Sequence, residues 1–474
     1  MIIEGINVEA SIKRVGELLE SERDLSPALK SSIEVLLLLV SLLLNRLGLN
    51  SKNSSKPPSS DPNRRKEFRS NGERKPGGQN GHEFSTLQPV SDPDRTEIIK
   101  VDRNSLPKDE YRFVGYETRQ VIDIDISRFV TEWLAEVLED SKGKRYTASF
   151  PEGVTRPVQY GIGVKVNAVY MSQYQLIPYN RIEDHFDDQM QISISAGTIH
   201  NFNKDAFDRL EFFDEWVRKK LAASELINLD ETGVNIEGKR RWLHNVSNDR
   251  FTYLYPHEKR GSEAMDEIGI MPCYKGIVCH DHWKPYYKYD CIHALCNAHH
   301  LRELERSWEQ DKQQWAMKMS DLLREINRSV TDSGGCLEPE VSMNYRKRYR
   351  EILLEAEDEC PPPEPKKKGG RGRTARSKSR NLLERLRDFE DDVLRFMDEK
   401  FVPFTNNQAE NDLRMTKVQQ KISGCFRSFD GARIFCRIRS YLSTCRKNGV
   451  SASDALRLLF EGKWPDFISF DQAT

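Results

Sequence analysis

The sequence predicts a multi-domain α/β protein, with a block of closely spaced strands, a long helical insertion, and helical and basic modules ahead of them. Three observations carry this. At 474 residues the chain is too long for one ordinary core. From residue 225, short apolar runs alternate with turns (ELINL, RRWLHNVS, FTYLYPHE, KGIVCHD, CIHALC), the pattern of one sheet built with short connections. Residues 310–400 then switch to helical periodicity in WAMKMSDLLREINRSV, YRKRYREILLEAEDE and RNLLERLRDFEDDVLRFMDE.

Residues 1–50 read as a leucine-rich helical region. Ile33, Leu37, Val40, Leu44 and Leu47 step by four, three, four and three, the spacing of a short coiled-coil seam, and Pro27 stops the pattern from running back. Two heptads alone are marginal, so a helix buried in its own domain and a dimerisation zipper both stay open. Residues 51–85 form a basic flexible linker, with eight Lys/Arg against three Asp/Glu between Lys52 and Lys75 and almost no apolar content. Such a stretch suits phosphate contact or a plain solvated tether.

Residues 86–165 read as a small β-rich module, because RQVIDIDISRFV alternates apolar and polar residues. Residues 166–215 fit a helix-turn-helix. Tyr179–Phe186 follows Pro178, and Ser195 can cap Ala196–Phe207, whose second-helix position suits a major groove. Residues 216–309 hold the strands and the start of a helix near Ala298. The insertion, 310–400, is broken by a basic loop at 361–380 with eight Lys/Arg from Lys366 to Arg380. Residues 401–474 return to helix and complete the core.

Charged residues make up 31% of the chain against 37% hydrophobic, and the net charge of −1 excludes a uniformly basic nucleic-acid binder. All nine cysteines lie at or after Cys273 with no CxxC, which points to reduced thiols in a cytosol rather than a secreted disulfide scaffold. The start MIIEGINVEA lacks the basic and apolar pattern of a signal peptide. The most apolar run, Val35–Leu44, is ten residues against about 20 for a membrane span. A soluble cytoplasmic protein is expected.

Two acids follow apolar strands directly, Asp230 after LINL and Asp281 after GIVCH. Their 51-residue separation leaves room for two intervening strands and a return to the sheet centre, so adjacent strands would present both carboxylates to one spot. Paired carboxylates repel unless a cation joins them, and hard oxygen ligands suit Mg²⁺, with Mn²⁺ able to substitute. Two such ions would serve both oxygens of a phosphodiester displacement. Glu410, near the start of a helix in TNNQAENDLRMTKVQQKI, offers a third carboxylate, with Arg414 and Lys417 on its face. Glu231, Asp290, Glu303 and Asp412 compete for these roles, since a strand-end Asp is often a turn residue and a helical Glu is usually solvated.

The segments NSSKPPSSD, RKPGGQNGH, LDETG, HDHWKPYY, CNAHHLREL and TNNQAENDLR followed by KISGCFRS resemble, in order over nearly the whole chain, the transposases of the insertion sequence 66 family. The resemblance implies an RNase H-like catalytic core in which Asp230, Asp281 and Glu410 are the Asp-Asp-Glu triad that binds the metal. It also implies a zipper-like start and a helical insertion in the 129 residues between Asp281 and Glu410. The chain departs from the family between about 90 and 160, where members commonly carry a cysteine-rich zinc finger. No cysteine precedes Cys273, so a thiolate zinc site is not expected there.

Cys296 and His299 invite a second metal reading, but only two or three ligands are local. A core-packed Cys296 with His299 hydrogen-bonded beside the active site is the expectation, and zinc is not expected. His280 and His282 fall on the strand face opposite Asp281. Phosphate contacts are expected from Arg414, Lys417 and Lys421, and from Lys366, Lys367, Lys368, Arg371 and Arg373 in the basic loop. The implied partners are the element's terminal inverted repeats, target DNA, a second copy or a higher synaptic oligomer, and small companion proteins. The competing reading is a silent relic that binds DNA ends without cutting; the presence of all three carboxylates favours the enzyme.

Overall fold

The computed structural model describes residues 2–3, 6–22, 25–47, 49–50, 53–54, 87–363 and 376–469. At the N-terminus β1 (Ile2–Ile3) and β2 (Ile6–Asn7) form a small antiparallel pair ahead of α1 (Val8–Ser21) and α2 (Pro27–Leu47). Pro27 opens α2, where its missing N–H costs nothing. Leu36, Leu38, Leu42, Leu43 and Leu47 are more than half exposed along this helix. The ten-residue run Val35–Leu44 is part of a 21-residue helix that is long and apolar enough by composition to cross a membrane, so its length alone does not exclude a span. Most of the basic linker, residues 51, 52 and 55–85, lies outside the described residues.

Among the described residues, 87–160 hold only one ladder, the hairpin of β3 (Val137–Glu139) and β4 (Arg145–Thr147). The Asp140 carboxylate shapes its turn by accepting the N–H groups of Lys142 and Lys144 at 2.9 and 3.0 Å. RQVIDIDISRFV, expected as strand, is not paired, and Val121, Ile124 and Phe129 are 92%, 80% and 92% exposed. Alternation marks a segment that fits a half-buried sheet surface, and here no neighbouring edge supplies that surface.

The next helices are α3 (Ile162–Val169), α4 (Tyr179–Met190), α5 (Ala196–Arg209) and α6 (Glu211–Ala222). The Ser195 hydroxyl caps α5 by accepting the Thr198 N–H at 3.2 Å, and Ile199, Phe202 and Ala206 bury its inner face. The two expected helices of the 166–215 region are therefore present and packed into the main core.

The centre is a five-stranded mixed sheet of β5 (Leu226–Ile236), β6 (Lys239–Ser247), β7 (Thr252–His257), β8 (Ile277–His280) and β9 (Ile292–Leu295). Its order is β7-β6-β5-β8-β9, antiparallel from β7 to β5 and parallel from β5 to β9. β5 does not stop at Asp230 as its apolar run suggested. It continues through TGVNI to Ile236, because Val234 and Ile236 are buried too and Glu237 and Gly238, both at positive φ, make the two-residue turn into β6.

Helices cover both faces, an arrangement consistent with an RNase H-like core. On one face Ile227, Leu229 and Val278 share a core with α3–α6, α7 (Ser262–Ile268), α14 (Phe429–Lys447) and α15 (Ala452–Phe460). Ile277, Cys279, Ala294 and Leu295 pack with α8 (Asn297–Glu309), α9 (Gln314–Asp332), α10 (Pro339–Glu359), α11 (Lys378–Asp388) and α12 (Glu390–Asp398). α13 (Asn407–Ser423) lies across β5 and β6, burying Leu413 near Val234 and Leu243.

The helix expected over 380–399 is two helices broken at Phe389, whose ring sits 4.6 Å from that of His282 and 5.0 Å from that of Tyr287, centroid to centroid. The break turns α12 onto β9, where Arg395 donates to the His293 carbonyl at 2.7 Å and Asp392 accepts the Tyr287 hydroxyl at 2.9 Å. The insertion thereby braces the loop after β8. Phe389→Ala should lower the unfolding free energy in urea by roughly 2–4 kcal/mol, somewhat below the range for fully buried aromatics because the ring is only partly buried.

Candidate active site

The parallel ladder pairs Leu226 with Ile277, Ile227 with Val278 and Asn228 with Cys279, a constant offset of 51 residues. Carried two residues further, the same offset sets Asp230 level with Asp281, on strands about 4.8 Å apart. Gly276 fixes this register from upstream. A Cβ there would lie 2.7 Å from the Glu225 carbonyl, which accepts the Ile277 N–H at 2.8 Å and starts the ladder. The strand's period of two sends Ile227 and Leu229 into one core and Asp230 to the face that carries α13.

Glu410 sits in the first turn of α13. Three bonds pin that end of the helix. The Asn406 side chain donates to the Leu229 carbonyl at 2.7 Å, the Asn406 N–H donates to Cys296 Sγ at 3.1 Å, and Asn245 donates to the Ala409 carbonyl at 3.2 Å. Asn406 is 1% exposed, and its amide ties α13 to the carbonyl just before Asp230. The three carboxylates expected from the sequence are thus gathered at one place.

The Asp281 turn is held from both sides. Asp281 Oδ1 accepts the Trp283 N–H at 3.0 Å, and the Arg260 guanidinium lies 3.6 Å from the centre of the Trp283 ring. On the far side the buried His280 accepts the His282 N–H through Nδ1, so its neutral ring donates from Nε2 to His293 Nδ1 at 3.0 Å. His280 closes β8, whereas His282 lies beyond the strand with a left-handed backbone (φ 68°), so strand alternation does not place it; its ring packs on Tyr287 and Phe389.

Each competing acid has a cationic partner of its own, although Glu231 stays within electrostatic reach of Asp230 and Asp281. Glu231 accepts Arg260 at 2.7 Å and the Tyr286 hydroxyl, Asp412 pairs with Lys447 at 2.8 Å, Asp290 with Lys275 at 2.6 Å, and Glu303 with Arg385 at 2.8 Å. Among the described residues, neither Asp230 nor Asp281 has a Lys or Arg within ion-pairing distance, and Glu410 has only Arg302 at 3.8 Å.

Burial raises the Asp230 carboxyl well above its ordinary range, and the negative charges of Glu231, Asp281 and Glu410 raise it further. Burial and then Asp281 also raise Glu231, against the Tyr286 hydroxyl and Arg260. A partly buried carboxylate cluster whose nearest paired cation is Arg302, 3.8 Å from Glu410, is unfavourable alone and favourable around a divalent cation, so these oxygen donors fit one.

The remaining expected site residues are dispersed. Arg414 and Lys421 are exposed along α13. Lys417 is half-buried, donates to the Gly233 carbonyl at 2.8 Å, and has its pKa lowered by burial and then by Arg240. With Arg240, Gly233, Gly238 and Gly424 it lines a groove of about 450 Å³ along β5. Lys366, Lys367, Lys368, Arg371 and Arg373 lie outside the described residues. Cys296 and His299 do stand beside the cluster, and their ligand atoms and a Glu410 oxygen all lie within 4.8 Å of one another. Burial, then Arg302, lowers the His299 pKa to about 4, so its imidazole is neutral at physiological pH.

Arg240, Arg260, Arg302 and Asn406 were not singled out from sequence. Asn406 belongs to the NNQAEND motif, and its adjacency to Glu410 was the one available signal.

The raised Asp230 pKa has a defined consequence for stability. The native state holds this proton more tightly than the unfolded state. The metal-free protein is therefore favoured below the ordinary carboxyl range and loses that stability as pH rises through the raised folded value. At neutral pH without divalent cations, Asp230→Asn should melt above the parent, with a flatter dependence on pH. Adding Mg²⁺ should raise the parent's melting temperature and leave the variant's nearly unchanged.

Residues 158–434 match the Transposase IS66 family, and residues 6–88 match a family of unknown function (DUF6444). The chain matches no curated protein. The first match spans 277 of the 474 residues, including the whole central sheet, the insertion and α13. On that coverage, and with the sheet and its gathered carboxylates in place, the chain belongs to the IS66 family of transposases.

Proposed function

We propose that the protein cuts the DNA ends of its insertion sequence and joins them to target DNA, with Asp230, Asp281 and Glu410 as the catalytic, metal-holding residues. The observation that supports this is the β5–β8 register, whose 51-residue offset is the spacing of the two aspartates, together with the charges of Asp281 and Glu410 acting on Asp230. When bound, Mg²⁺ or Mn²⁺ would activate the attacking oxygen and stabilise the leaving oxygen of the phosphodiester.

The chain's own contribution is positioning and charge. Asp230 and Asp281 present oxygen donors from a strand and a braced turn that cannot easily splay apart. Arg302 orients Glu410 from the neighbouring helix, and Asn406 fixes the distance of α13 from β5. Arg240 and Lys417 give the groove along β5 the positive charge to hold a phosphodiester backbone beside the carboxylates. The outward face of α5, with His200, Asn201 and Lys204, suits DNA contact, and the leucine face of α2 suits pairing of two copies. Two ends must be joined, which calls for at least a dimer.

The test is Mg²⁺-dependent cleavage and strand transfer on DNA carrying the element's own ends, with companion proteins supplied. Asp230→Ala, Asp281→Ala and Glu410→Ala should each lose at least about 10³-fold in rate, roughly 4 kcal/mol of barrier, while still binding the ends. Activity surviving in any one variant removes that carboxylate from the site. A parent that binds ends and never cuts supports the end-binding relic instead.

A further inference from the structure

We propose that Cys296, His299 and Glu410 form a second metal site, taking a borderline-soft divalent cation of the Zn²⁺ class and competing with the carboxylate cluster for Glu410. Cys296 follows β9 and His299 lies three residues on, so both project from one side of the first turn of α8. Glu410 arrives from α13, which the Asn406 N–H already ties to Cys296 Sγ at 3.1 Å. The three donor atoms lie within 4.8 Å of one another. The Nδ1 atom of His299 is buried and makes no hydrogen bond, so the histidine is held here without a protein partner for that nitrogen.

The donor chemistry separates this site from its neighbour. Sulfur, imidazole nitrogen and one carboxylate oxygen match Zn²⁺, whereas Mg²⁺ takes oxygen donors and disfavours sulfur. Ligands around one such ion bind at about 2.0–2.3 Å and stand roughly 3.5 Å apart, so the cluster must close by about an ångström. Rotation of Glu410 away from Arg302, now 3.8 Å distant, provides that movement. On binding, the Cys296 thiol loses its proton to solvent and the thiolate takes one coordination position. Glu410 then leaves the oxygen cluster, and a Zn²⁺-class ion switches off any Mg²⁺-supported activity. Only this inhibitory consequence rests on the proposed catalytic role of Glu410.

Co²⁺ titration of the full chain, kept reduced with a non-thiol reductant, tests the site directly. One equivalent should produce thiolate-to-cobalt charge-transfer absorption. The band should vanish in Cys296→Ser and persist in Asp230→Asn, and cobalt affinity should fall at least about tenfold in His299→Gln and Glu410→Gln. No thiolate band in the parent, or a band that persists in Cys296→Ser, overturns the proposal. Should Cys296→Ser not fold, as judged by circular dichroism, unchanged affinity in His299→Gln overturns it instead. A Zn²⁺ titration of cleavage completes the test: inhibition in the parent should be relieved in His299→Gln. A parent that never cleaves counts against the catalytic reading, and a missing thiolate band counts against this site.

Discussion

The parallel register between β5 and β8 is the constraint on which the rest of the site depends. A slip of one residue would turn Asp230 toward the opposite core and leave Asp281 facing a hydrophobic side chain. Several features hold the register at once. Gly276 admits the Glu225 carbonyl at the start of the ladder, and the two hydrophobic cores grip alternate residues of both strands, while Cys296 continues the neighbouring β8–β9 pairing by donating its N–H to the His280 carbonyl at 2.9 Å. The carboxylates themselves oppose the arrangement, since burial and mutual repulsion raise Asp230. Stability made elsewhere in the fold therefore keeps a locally unfavourable cluster in place, as is common where a protein holds an ion.

The long insertion belongs to this scheme. It is inserted between the second aspartate and Glu410, yet it packs back on β8 and β9 rather than standing apart. Phe389, Asp392 and Arg395 reach the His282–His293 segment, and Arg385 holds Glu303 on α8. The loop bearing Asp281 is thus clamped by residues that follow it by about a hundred positions. Cys296, Asn297 and Asn406 close the remaining gap, with the Asn297 N–H donating to the Phe404 carbonyl at 3.0 Å. The same junction brings a thiol and an imidazole beside Glu410, so two different donor sets meet at one carboxylate.

Much of this was legible in the residues. The runs LINL and GIVCH mark two strands, and the 51-residue spacing of their aspartates is the ladder offset itself. Ser195 caps the helix that its position predicts. Other features were hidden for physical reasons. The continuation of β5 past Asp230 depends on the core that α13 supplies to Val234 and Ile236, a contact more than 170 positions away in sequence. RQVIDIDISRFV has strand alternation but no edge to pair with. The break at Phe389 lacks a proline or glycine and follows from ring contacts with the Asp281 loop. The pairing of Glu231 with Arg260 and of Asp412 with Lys447 joins residues far apart in sequence, and only the fold reveals it.

The central claim is that Asp230, Asp281 and Glu410 share one divalent-cation site. Iron-directed backbone cleavage measures this without reference to DNA. Fe²⁺ loaded in place of Mg²⁺, with ascorbate and peroxide, generates hydroxyl radicals that cut the chain beside the bound ion. Cuts should appear together near residues 230, 281 and 410, disappear with excess Mg²⁺, and be lost at all three places in Asp230→Asn. Cutting confined to one of the segments, or cutting that Mg²⁺ does not suppress, would contradict a shared site.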